Sequence, residues 1–264
     1  MKWHRIYAII LHHIYFWKKS VPRWLDILYW PVVTLAVWGF ITSFLQQQQT
    51  GTAVASLVGF FLGGIILWML FQRAQQDIAI SYLQDIWSRS IVNLFVSPLS
   101  NAEFVVASMI VGIAKVIITL GVMSLLSVLL YAFNIYTLGL ALLPFIGMLL
   151  IFAWALGLFI TGIIFRYGTD AQVLAFGVSF ILQPITAVFY PLSILPHWIQ
   201  PIALAIPITH VFEAMRTVLA GGAFPMDAFW WSLGLNILYF ILGAWFFMRM
   251  YNHAKKMGML AKLE

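Results

Sequence analysis

Eight carboxylates, six histidines and no cysteine make up the acid-base and metal-binding side chains of this 264-residue sequence, and their positions limit the chemistry open to it. No GxSxG nucleophile elbow, HExxH metal motif or GxxxxGK[ST] phosphate loop occurs. The histidines His4, His12, His13, His197, His210 and His253 fall outside the long apolar runs, so a pair of haem ligands within a membrane is excluded. An ion-coupled carrier keeps carboxylates near the membrane midplane, but Asp26, Asp77, Asp85, Glu103, Asp170, Glu213, Asp227 and Glu264 map to the ends and loops of those runs. The residues thus predict no catalytic centre, no metal site and no cofactor bound by this chain. Energy for any work must come from another molecule.

The largest surface through which to receive it is the polar stretch from Arg73 to Glu103, with Arg73, Asp77, Asp85, Arg89 and Glu103 between two apolar runs. Ile78, Tyr82, Ile86 and Phe95, joined by Leu83, Trp87, Ile91 and Leu94, recur at helical spacing, which predicts an amphipathic helix lying in water. Pro98 ends it, and Ser100 with Glu103 has the spacing of a capping box opening the next helix. Such a helix either rests on the membrane surface or docks a partner. In the docking case Trp87 and Ile86 are the apolar anchor, and Asp85 and Arg89 set orientation at its rim.

Composition places these residues in a membrane. With 63% hydrophobic and 8% charged residues and a mean hydropathy of +0.98, the chain is expected to be an all-α polytopic membrane protein. The net charge of +6 reads as a topology signal, not a nucleic-acid footprint, because the cations flank apolar runs. Residues 1–26 alternate cations with aromatic rings and predict an interfacial amphipathic helix in contact with membrane lipids. Six transmembrane helices follow, at about 27–45, 52–71, 109–133, 138–165, 171–190 and 229–248. Lys115 sits inside the third run and is expected to snorkel to the nearer surface.

Two segments have patterns of their own. In the fifth span Ala171, Ala175, Ser179 and Gln183 recur every fourth residue, so small and polar groups share one face. That face serves packing within the chain, a subunit interface or a transport pathway. Residues 191–222 are apolar but broken by Pro191, Pro196, Pro201 and Pro207, which predicts short re-entrant helices before the last span. With six crossings, twelve cations share the side of both termini and of 73–103, and only Arg216 lies opposite. The positive-inside rule then makes the termini cytoplasmic.

The order of these features resembles the ABC-2 type transporter permeases, the membrane subunits of a class of ABC exporter. Leu195-Pro196-x-Trp198, then Ile206-Pro207-Ile208-Thr209, then Glu213 and Arg216 is similar to that family's LPxW…NPLTY…EAxR pattern, with Ile206 and His210 departing from it. The resemblance implies that 27–264 is an ABC-2 type transmembrane domain with a cytoplasmic coupling region at 73–103 and an extracytoplasmic re-entrant region at 191–222. It implies a permease homodimer in the cell inner membrane, with a separate ABC ATP-binding subunit carrying ATP and Mg. Export of a glycan, a lipid-linked compound or a drug-like molecule would follow, with coupling through the helix within 77–93. Glu103, Glu213 and Arg216 are gate or packing candidates; Ala175, Ser179 and Gln183 are pathway or interface candidates. A non-transporting membrane scaffold or assembly subunit is the alternative from another class.

Overall fold

The computed structural model describes residues 1–18, 21–48, 53–87 and 99–257. Among them the chain forms nine α-helices: α1 (Trp3–Lys18), α2 (Val21–Gln48), α3 (Ala53–Trp87), α4 (Asn101–Tyr131), α5 (Leu142–Tyr167), α6 (Val173–Ile185), α7 (Gln200–Leu204), α8 (Pro207–Leu219) and α9 (Met226–Lys256). Short 3₁₀ segments lead into α5 at Ile135–Ala141 and into α6 at Gly168–Gln172. No strand occurs among the described residues, and five of the helices are long and apolar enough to span a bilayer. The chain is an all-α, multi-pass membrane protein.

The bundle is built around α3. Leu62, Ile65, Ile66, Leu67, Trp68, Leu70 and Phe71 cover every side of it, and all are buried, as expected of a helix enclosed by others. Helices α2, α4, α5, α6 and α8 pack around it, and α9 packs on α5. The outer faces of α2 and α9 carry exposed apolar residues such as Phe40, Phe44, Ile241 and Trp245. Such surfaces suit hydrocarbon, not water.

Three expectations are corrected. The polar stretch is not a separate helix, because α3 runs without a break from Ala53 to Trp87. No proline interrupts it, and its polar residues find partners inside the bundle. At 1.5 Å per residue its 35 residues extend about 52 Å, well beyond the ~30 Å hydrocarbon core. The predicted interfacial helix ends at Lys18 instead of residue 26, and α2 begins at Val21. The run at 171–190 forms a helix only from Val173 to Ile185. Pro184 lies in its last turn, and Ala187 then adopts a left-handed conformation with φ of 53°. A proline and a left-handed residue both stop α-helix propagation.

Candidate functional site

The polar residues of α3 are turned inward and tie it to its neighbours. Gln75 is wholly buried: its Oε1 accepts from Ser179 Oγ at 2.6 Å, and its Nε2 donates to the Ala175 carbonyl at 3.4 Å. The amide therefore locks α6 to α3. On its other side α5 approaches so closely that a Cβ on Gly157 would stand 2.8 Å from the Gln75 carbonyl oxygen. Ala175 and Ser179 thus serve packing within one chain, while Gln183 remains half-buried farther along α6.

Two residues further along, Asp77 meets Lys115. Nζ of Lys115 donates to Asp77 Oδ1 at 2.5 Å, and the residues are only 8% and 3% exposed. The ammonium, expected to snorkel to the nearer surface, is held by a carboxylate inside the bundle. Gly112, one turn before Lys115, leaves room for the pair, since a Cβ there would lie 3.3 Å from Asp77 Oδ2. His13 of α1 closes the site from outside. Its ring is tilted against Phe104 at 6.2 Å between centroids. Burial, with the Lys115 and His12 charges adding to it, lowers its pKa to about 4. A neutral imidazole is what a buried position beside a cation demands.

The start of α4 is fixed by the predicted capping box. Ser100 Oγ accepts from the Glu103 amide at 3.2 Å, and Glu103 Oε2 accepts from the Ser100 amide at 3.0 Å. The same carboxylate takes the Lys2 amide at 2.7 Å and lies 3.7 Å from the Arg5 guanidinium. Glu103 is therefore a tie between α1 and α4. The end of α3 divides by residue. Ile86 is 3% exposed and packs with Ile160, Ile164 and Ala175; Asp85 is also buried. Ile86, expected to share the apolar anchor with Trp87, is instead covered by this chain's α5 and α6, and Asp85, expected at the rim, is buried. Trp87 is 52% exposed and donates Nε1 to Gln172 Oε1 at 3.3 Å. Arg89 lies outside the described residues, as do Ile91, Leu94, Phe95 and Pro98.

Toward the opposite end of α3, Glu213 and Arg216 on α8 hold the segment after α6. Arg216 donates Nη2 to the Ala187 carbonyl at 2.8 Å and Nη1 to the Val188 carbonyl at 3.4 Å, and pairs with Glu213 at 2.7 Å. Glu213 also accepts the Leu192 amide at 2.7 Å. Non-helical backbone in a membrane protein is tolerated where its carbonyls are satisfied by protein, and this pair satisfies them. Gly64 of α3 lets the segment come close: a Cβ there would stand 2.6 Å from the Val188 oxygen.

Gln75 and the Asp77–Lys115–His13 group were not singled out as a site by sequence reasoning. A trace of them was visible, since Ser108, Gly112, Lys115 and Thr119 fall on one face of α4 at helical spacing.

The chain is thus a helical membrane bundle with a 35-residue central helix, a non-helical segment pinned by Glu213 and Arg216, and buried polar ties between its helices. The model of the ABC-2 family transporter protein matches residues 32–249, and the chain belongs to this family. It is also similar to the inner membrane transport permease YadH of Escherichia coli K12, at 23% identity over 219 residues that cover 80% of this chain and 83% of that one. The YadH proteins of Escherichia coli O157:H7 and Shigella flexneri match to the same extent.

Proposed function

We propose that the chain is the permease of an ATP-driven exporter, moving its substrate out across the cytoplasmic (inner) membrane with a separate ATP-binding subunit. Support comes first from family membership across 32–249, joined to the absence of any phosphate-loop motif in the sequence. ATP and Mg would then sit on the partner. The observation that carries the reading is the length of α3. A helix that outruns the hydrocarbon by roughly 20 Å can deliver Trp87 to the aqueous side. Of Ile86 and Trp87, only Trp87 is exposed, so among the described residues of this helix end it takes the anchoring role. Because α3 is one rigid rod, a push at Trp87 reaches Gln75, Asp77 and their partners on α4, α5 and α6.

In this reading both termini are cytoplasmic, and two permeases combine with two ATP-binding subunits. The segment 186–192 then completes the crossing that α6, at 13 residues or about 20 Å, is too short to make.

The test reconstitutes the permease in nanodiscs with its ATP-binding subunit. Trp87→Ala is expected to weaken the complex by about 2 kcal/mol or more and to abolish stimulated ATP hydrolysis, with the permease still folded. Undiminished binding and stimulation in Trp87→Ala would refute the docking role. Failure of any ATP-binding subunit to co-purify would instead favour a scaffold.

A further inference from the structure

Between α5, α6 and α9 lies a cavity of about 350 Å³. Its floor is Phe152 and Ile206; its walls are Phe159 on α5, Val178 and Leu182 on α6, and Leu242 on α9. We propose that this cavity is a binding site for one acyl chain of a membrane phospholipid.

Four observations lead to that occupant. The lining carries no charge, and its one hydrogen-bonding side chain is Tyr239, too few polar partners to hold a water. Phe159 and Leu242 of the lining are themselves exposed, so the cavity opens on an apolar outer face of the bundle, where the medium is hydrocarbon. Its depth agrees: Phe152 and Phe159 lie 10 and 17 residues into the 26-residue α5, about 15 and 26 Å along a helix long enough to span the core.

Size decides between a lipid chain and a second copy of the protein. An apolar cavity of about 150 Å³ takes a benzene-sized molecule, so this one accommodates roughly a dozen carbons. One turn of an α-helix about 10 Å wide already fills roughly 420 Å³, more than the whole cavity. A chain that is slender and flexible enters where a helix does not. The site needs only that α5 and α9 cross the membrane, whatever the complex transports.

The test uses the purified chain in dioleoylphosphatidylcholine nanodiscs doped with a phosphatidylcholine that carries a photoactivatable diazirine at mid-chain. Adducts are mapped by mass spectrometry. The expected result is label on the buried lining residues Phe152 and Ile206 as well as on exposed Phe180 and Ile181. Filling the cavity with Val178→Trp or Leu182→Trp is expected to remove the label from Phe152 and Ile206 and to leave that on Phe180. Label confined to the outer residues in the unmodified chain would overturn the proposal without reliance on any variant. So would cavity label that survives both tryptophans, or a Val178→Cys variant of this cysteine-free chain that cross-links to a second copy.

Discussion

Lys115 of α4 and Asp77 of α3 form an ion pair in the interior of the bundle, with Gly112 as the gap that admits it and His13 of α1 on its outer side. Removing one member of a buried pair strands the other charge, which typically costs about 3 to 5 kcal/mol. Lys115→Met is therefore expected to lower the thermal stability of the purified permease by that order. Combining it with Asp77→Leu should restore much of the loss, since an apolar pair of similar volume is often neutral. A Lys115→Met protein that melts with the wild type would show that the pair contributes little.

Gln75 and Ser179 make a second prediction about the same rod. Ser179→Ala leaves Gln75 Oε1 buried without its donor and should cost about 1 to 3 kcal/mol. Ser179→Leu should cost more, because α6 cannot approach α3. Urea or thermal unfolding in detergent orders the three proteins, and equal stability of wild type and leucine variant would show that α6 does not rest on α3 here.

Arg216 is expected to resist conservative replacement. Its guanidinium holds two carbonyls and a carboxylate together, a fork that the single ammonium of lysine does not reproduce. Arg216→Lys should leave 186–192 less protected in hydrogen exchange, and Arg216→Ala still less. Protection in Arg216→Lys equal to the wild type would show that charge alone suffices.

His13 sets a pH dependence on the docking of α1. Its pKa falls from 6.5 to about 4 on folding, because the buried imidazole is held neutral. The undocked state then binds more protons between those values, so docking is full above about pH 6.5 and weakens as pH falls toward 4. The loss reaches on the order of 3 kcal/mol at the acid end. Hydrogen exchange of the α1 amides at pH 7 and pH 5 measures it, and His13→Leu should flatten the difference. An α1 equally protected at both values in the wild type would contradict the assignment.

Membrane class, the capping box and the breaks at Pro191, Pro196, Pro201 and Pro207 were legible because each depends on local rules: hydropathy, an i to i+3 spacing, a missing amide. The polar residues after Arg73 were misread for the same reason. Gln75, Asp77 and Ser81 look like the wet face of a surface helix when taken alone. Ser179, Lys115 and a close-packed α5 make them interior.

What the sequence determined by itself, then, was the membrane setting of the long apolar runs and the local signals that open or break a helix, since those follow from single residues and their near neighbours. Only the tertiary structure decided which side chains met. Trp87 and Ile86 are adjacent in the chain and equally apolar, yet one is exposed and the other enclosed. Consecutive positions on a helix point about 100° apart, and Ile160, Ile164 and Ala175 stand on one of those sides. Burial of the Asp77 and Lys115 charges likewise rests on a partner 38 positions away, a relation no local pattern encodes.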